Sequence, residues 1–391
     1  MSLLNDYEQR TAWKYEPVRG CFQTADGLTN KVAWSGGYKR FPGTTVVFRL
    51  GKRETYMIRL MQSVLDCKLK DTGMLAAPLP VSALHMTLHD LVSPERCESD
   101  PADTDAYNRE LAVSLERAAA TVEGIRRDFG ERKIRLTADR MVNMVSKSLV
   151  LMLKPQTEED YALLMEMYGR FDGIVSLPYP LTPHITLAYY KPGQLDGDRL
   201  GEAIDFAQIR PDSAPVFEFS PMDLTAQMFR DMQNYADVPA RICFCCDGGL
   251  NRSVMAANIL THMAEARGLK AVGEARAAFR GTQDCSVPQE VWDTLEAHGI
   301  RPDKAYACAR RLEDEDAARF TDFAGISAAA MDRISRLDLT GEREYEAGDF
   351  FFGVRDPQYG EISYEQAFIE LKERAARWLD AFEAESKLFV K

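Results

Sequence analysis

Ile242-Cys243-Phe244-Cys245-Cys246-Asp247-Gly248-Gly249-Leu250-Asn251-Arg252-Ser253 places an apolar run, a glycine turn and a helix start in immediate succession. The run over 242–245 is short and wholly apolar, as in strands buried on both faces of a parallel sheet. An alanine-rich helical pattern follows from Ser253 to about Arg267, with Gly268 as its stop signal. Strand, loop and helix in this order open an α/β domain. Cys246 and Arg252 are separated by five residues, a spacing that closes a loop around an anion. Backbone N–H groups, a helix N-terminus and a planar guanidinium then converge on phosphate oxygens, and the glycines let the backbone come close. Asp247, Gly248, Gly249, Leu250, Asn251, Arg252 and Ser253 are the phosphate-binding candidates. The same donors favour a thiolate nucleophile at Cys246, and Ser253 can hydrogen-bond the sulfur as it leaves. No Gly-Lys-Ser/Thr follows, so this is not a nucleotide-binding loop. Two blander readings compete, an inert buried cysteine cluster and a Cys-x-Cys-Cys metal site. Metal is disfavoured because Cys243 and Cys245 share a strand face that Cys246 leaves, and no second ligand pair is spaced to complete a tetrahedron.

Downstream, helical patterns over 288–297, 313–320, 331–337 and 364–386 alternate with short strand candidates, which predicts an α/β domain with a short, mostly parallel sheet. Asp356-Pro357-Gln358-Tyr359-Gly360 follows 110 residues after Cys246. With this run, the chain from Ile242 onward resembles the low-molecular-weight protein tyrosine phosphatases. Dual-specificity phosphatases share the loop pattern but carry their acid upstream of the cysteine. The resemblance implies Cys246, Arg252 and Asp356 as catalytic residues, with Asp356 protonating the leaving oxygen and then activating water against a phosphocysteine. It places Gln358 and Tyr359 along the substrate. The sequence departs from the family at four positions: Gly249 stands for a usual Asn, Asn251 for the second loop cysteine, Gln358 for an aromatic, and Asp247 sets a carboxylate beside the nucleophile. Arsenate reductases are related, but they need further paired cysteines, and Cys285 and Cys308 are 23 positions apart.

Upstream, a strand over 44–50, a helix over 53–65 and a strand at Leu84-His85-Met86-Thr87-Leu88 are followed by a long amphipathic helix over 106–129. Strands over 134–136 and 148–153, flanking a connection through 141–144, a helix over 158–171 and Leu181-Thr182-Pro183-His184-Ile185-Thr186-Leu187 then repeat the succession. His85 and His184 lie 99 residues apart in matching tetrapeptides, although the chain has only five histidines. That pattern predicts a duplicated, two-lobed α+β domain with one active strand per lobe. In a strand, residues i and i+2 share a face, so His85 with Thr87 and His184 with Thr186 each present an imidazole and a hydroxyl to one cleft. One imidazole can take a proton while the other gives one, and the threonines can hold phosphoryl oxygens. His89 is expected at the cleft edge. These strands resemble those of the two-histidine phosphoesterase superfamily over roughly residues 1–238. The resemblance implies metal-independent cleavage of a phosphodiester or cyclic phosphate, on RNA ends or ADP-ribose derivatives, with His85, Thr87, His184 and Thr186 as catalytic residues.

A composition change at Tyr235-Ala236-Asp237-Val238-Pro239 divides the 391 residues into expected domains 1–238 and 239–391. The reading is a bifunctional phosphoesterase, a cyclic phosphodiesterase joined to a cysteine-dependent phosphomonoesterase, acting on one substrate in sequence or on two. The alternatives are a phosphatase whose first domain only binds RNA or nucleotides, and an arsenate-reductase-like second domain. Net charge is −12, from 48 basic and 60 acidic side chains, which argues against wholesale binding to DNA or anionic membrane. Partners are therefore expected to be small phosphorylated or cyclic-phosphate substrates, an RNA end or a phosphoprotein, with no metal and no cofactor. The opening MSLLNDYEQR lacks the features of a leader and no apolar stretch is long enough to span a bilayer, so a cytoplasmic location is expected, with the eight cysteines reduced.

Overall fold

The computed structural model describes residues 3–390 apart from 16–17, 131, 209–213, 280–284, 303–307, 315, 338–349 and 361. It divides after Ala236 into two units.

The strands of the first are β1 (Cys21–Gln23), β2 (Gly43–Arg49), β3 (His85–Asp90), β4 (Ile134–Met144), β5 (Ser148–Pro155), β6 (His184–Tyr189), β7 (Gln194–Asp196), β8 (Val216–Phe219), β9 (Leu224–Phe229) and β10 (Tyr235–Val238). β1 and β7 form a separate ribbon, and the other eight form one sheet in the order β10-β9-β2-β3-β6-β5-β4-β8. Its helices are α1 (Leu3–Thr11), α2 (Lys52–Leu69), α3 (Thr104–Phe129), α4 (Glu158–Gly169) and α5 (Gly197–Ala207). β2–α2–β3 and β5–α4–β6 are thus the same succession, and the two passages meet at the centre of the sheet, where β3 runs antiparallel to β6 with Met86 opposite Ile185.

Local chemistry sets these elements. The Asp103 carboxylate caps α3 by accepting from the Ala106 N–H, and Leu111, Leu115, Ala118, Val122, Ile125 and Phe129 make its buried stripe before the left-handed Gly130 ends it. Thr157 caps α4 through the Asp160 N–H. The expected connection over 141–144 is instead the continuation of β4. Met141 and Val142 pair with Leu151 and Val150 and are buried, and the ladder shifts register between Ala138 and Met141, so a bulge takes up the break in alternation.

The second unit has a parallel sheet in the order β12-β11-β13, formed by β11 (Ala240–Cys246), β12 (Ala271–Ala277) and β13 (Asp322–Gly325). Around it lie α6 (Arg252–Ala266), α7 (Gln289–Ala297), α8 (Asp316–Arg319), α9 (Ala328–Ser335) and a C-terminal helix, Tyr364–Val390. This is an α/β domain. β11 is central and buried on both faces. Ile242, Phe244 and Cys246 enter one core with α6 and the C-terminal helix, while Cys243 and Cys245 enter a second with Leu312, Phe320 and Phe323. α6 packs so closely on β12 that a Cβ at Gly273 would lie 2.7 Å from the Ala257 Cα. The helix expected over 313–320 shrinks to α8, and Glu315 lies outside the described residues. Asp316 causes the loss: its carboxylate accepts from the Glu313 N–H and from the buried Arg276 guanidinium, which holds the preceding residues in a turn.

Candidate active sites

β11 delivers Cys246 to the carboxyl end of the central parallel strand, and α6 starts at Arg252, so residues 247–251 form a loop at the place where open α/β sheets bind ligands. The Cys246 Sγ lies 3.2 Å from the Ser253 Oγ, and both residues are buried. Arg252 is 5 % exposed. Its Nη1 donates to the Val354 carbonyl at 3.0 Å, and its Nη2 meets Asp247 Oδ2 at 2.7 Å and Asp356 Oδ2 at 2.8 Å. Its Nε is buried with no hydrogen-bond partner among the described residues. A buried donor left in that state costs free energy until an acceptor arrives, which is what an anion pocket supplies.

Asp356 caps the turn Pro357–Tyr359, accepting from the Gln358 N–H at 3.1 Å. The Asn251 side chain crosses from the loop to this turn, with Nδ2 at 3.3 Å from Asp356 Oδ1 and 3.1 Å from Gln358 Oε1. Tyr359 is exposed, and Leu250 packs on the core. The Asp247 carboxylate turns away from any phosphate role of its side chain, accepting from Ser327 Oγ at 2.6 Å as well as from Arg252. Ser327 and Val354 went unnoticed in the sequence. Ser327 could have been found as the capping residue just beyond β13, the strand beside β11. Val354 contributes only a carbonyl, which leaves no side-chain signal.

Gly249 has φ +66°, and a Cβ there would meet Ala277 Cβ at 2.7 Å and its backbone N at 2.8 Å. Gly249→Ala is therefore expected to destabilise the domain by about 2 kcal/mol or more and to impair oxyanion binding, since strain and overlap fall on one backbone unit. Urea melts and vanadate titration check this, and an unchanged pair of values would show that the loop relaxes freely.

Burial pushes the Cys245 thiol well above its ordinary range, so Cys245 stays protonated on the strand face opposite Cys246. Cys285 and Cys308, distant in sequence, become neighbours across a short antiparallel bridge: Ser286 pairs with Cys308, and the Ala309 N–H donates to the Cys285 carbonyl. Both are free thiols. Among the described residues no group of three His, Cys, Asp or Glu side chains is arranged to hold a metal ion, and no helix is long and apolar enough to cross a membrane.

In the first unit the Met86–Ile185 register sets His85 across from Thr186 and Thr87 across from His184 on the two central strands. All four are partly exposed, while Met86, Leu88, Ile185 and Leu187 are buried. The same irregularity recurs in both strands. Val46 pairs with His89 and Val47 with Thr87, leaving Leu88 as an extra residue; Leu149 pairs with Ala188 and Val150 with Thr186, leaving Leu187. Each bulge inverts the alternation. His89, expected at a cleft edge, is consequently buried on the other side, against the Tyr168 and Phe171 rings, with Nδ1 2.6 Å from the Asp90 carbonyl.

The His184 Nδ1–H donates to the Thr182 carbonyl at 2.8 Å, which leaves Nε2 as the acceptor. Burial lowers the His184 pKa below the usual histidine value, outweighing the opposite pull of that carbonyl. Tyr235 sits edge-on to His85 with ring centroids 4.8 Å apart, a neighbour that the sequence reading had assigned only to a domain boundary.

Residues 241–388 match the family model described as low molecular weight phosphotyrosine protein phosphatase. No curated protein matches the chain. Among solved structures, YfkJ from Bacillus subtilis is similar at 20% identity, over 37% of this chain and 96% of its own, with a TM-score of 0.33. The low molecular weight protein tyrosine phosphatase SP-PTP from Streptococcus pyogenes is similar at 18% identity, over 36% and 92% of the two chains, with a TM-score of 0.30. A conserved protein of unknown function from Agrobacterium tumefaciens aligns at 20% identity over 56% of this chain and 93% of its own, with a TM-score of 0.41. The family match settles what surrounds the cysteine loop: residues 241–388 form a low molecular weight phosphotyrosine protein phosphatase domain.

Proposed function

We propose that the chain is a bifunctional phosphoesterase, a cysteine-dependent phosphomonoesterase preceded by a metal-independent, two-histidine cyclic phosphodiesterase. The observation that carries the first activity is the convergence of the Cys246 loop, the part-satisfied Arg252 guanidinium and Asp356. The Cys246 thiolate attacks phosphorus, the S–P bond forms as the P–O bond breaks, and Asp356 gives its proton to the leaving oxygen. Water then attacks phosphorus, Asp356 takes its proton, and the S–P bond breaks with the departing sulfur hydrogen-bonded to Ser253. Arg252 and the loop hold the equatorial oxygens through both steps.

The second activity rests on the paired His-x-Thr strands and their shared register. A neutral His184 suits the base that takes a proton from attacking water, and His85 the acid that protonates the departing ribose oxygen, so that the ring opens to a monoester. The expected substrate is a small cyclic phosphate of the RNA-end or ADP-ribose type. Its product belongs to the class of compound that the second domain consumes, which makes sequential action the economical reading. The polar Gln358 suits a hydroxyl-bearing monoester better than an aromatic ring.

Asp356→Asn tests the phosphatase chemistry. The variant is expected to lose about 10²-fold in kcat, and more for alkyl than for aryl esters, because poor leaving groups need the proton most. Equal activity on an alkyl phosphate would remove Asp356 from the mechanism.

A further inference from the structure

We propose that Asn251 is a positioning residue that holds the Asp356 carboxyl in the orientation from which it exchanges the catalytic proton. The proposal rests on the phosphatase reading and deepens it. Asn251 is 2 % exposed, and both of its described amide contacts run to the turn that carries the acid, from Nδ2 to Asp356 Oδ1 and to Gln358 Oε1. Its own Oδ1 is buried with no hydrogen-bond partner among the described residues. A buried amide with an orphaned carbonyl is a poor choice for stability alone, since an apolar residue of similar volume would avoid the desolvation cost. The amide is therefore explained by what its N–H groups do.

Asp356 Oδ1 accepts two N–H donors, from Asn251 and from the Gln358 backbone. Oδ2 in turn lies 2.8 Å from Arg252 Nη2, so both oxygens are held and the plane of the carboxyl is fixed beside the anion pocket. Without Asn251 the carboxyl keeps its backbone donor but loses the side-chain strap to the loop, and rotation about its last torsion can turn it out of that orientation. The effect falls on proton delivery and spares oxyanion binding, which belongs to the loop N–H groups and Arg252.

The test compares Asn251→Leu, which keeps the volume without the donors, with wild type on para-nitrophenyl phosphate and on an alkyl phosphate. The alkyl rate is expected to fall about tenfold or more beyond the loss on the nitrophenyl ester, while vanadate affinity stays within about twofold. In an Asp356→Asn background the same substitution should add no further loss, because the proton it steers is gone. Equal losses on both esters, or additivity with Asp356→Asn, would overturn the proposal by reducing Asn251 to a structural part. If Asn251→Leu fails to fold, Asn251→Ser, which also withdraws the amide, is read in the same way. A wild-type protein inert toward both esters would instead remove the phosphatase reading and this role with it.

Discussion

Serine in place of Cys246 is expected to lower phosphate release from an aryl phosphate by about 10⁴-fold or more, because the hydroxyl cannot supply the easily ionised nucleophile on which both steps depend. The same variant should leave the opening of a cyclic phosphate intact, since that chemistry is assigned to His85 and His184. Fed a nucleoside cyclic phosphate, wild type is expected to release inorganic phosphate and Cys246→Ser to accumulate the monoester. If both proposed activities are present, joining them in one chain would raise the effective concentration of the second enzyme for the product of the first. Chromatography of the products decides the matter. Monoester accumulating equally from both proteins would end the sequential proposal, even with each activity confirmed alone.

Alanine at His85 or at His184 is expected to slow cyclic phosphate opening by about 10³-fold each, the usual scale for one general acid or base. Chelators should leave the wild-type rate unchanged, and complete loss with EDTA would replace the two-histidine mechanism by a metal site. The pH profile carries a further sign. Because burial lowers the His184 pKa, the base stays neutral below about pH 6.5, and the acid limb of the rate should lie beneath that value. Stability follows the same residue. In the window between the lowered folded value and about 6.5, the unfolded chain binds the proton and the folded chain does not, so stability falls as pH falls through it. Replacing His184 by Gln should flatten that slope in urea melts at pH 5.5 and 7.5, and an unchanged slope would show that other groups set it.

What the sequence disclosed was whatever depends on neighbours along the chain. The apolar run 242–245, the glycine turn and the helix start are local, and the strand, loop and helix are visible in them. The alternation that sets Thr87 beside His85 is equally local. Bulges are not, because an extra residue in a strand exists only relative to a partner strand, and His89 was misplaced for that reason. The contraction of α8 depends on Arg276, which reaches Asp316 from another strand. The bond of Asp247 to Ser327 likewise needs β13 beside β11, and neither residue type announces the other. Cys285 and Cys308 were judged by their separation in sequence, although a single bridge brings their backbones together.

The register of β3 and β6 has a consequence for direction. A half-turn about the Met86–Ile185 pair exchanges His85 with His184 and Thr87 with Thr186, and carries Val47 onto Val150. On the proposed phosphodiesterase reading, a ligand lying across these strands would meet the same four groups whichever end entered first. Polarity has to come from the next strands outward, where His85 faces Arg49 and His184 faces Met152. On that same reading, the Arg49 cation on one side, set against the fully buried Met152 on the other, would give an asymmetric ester its sense of orientation.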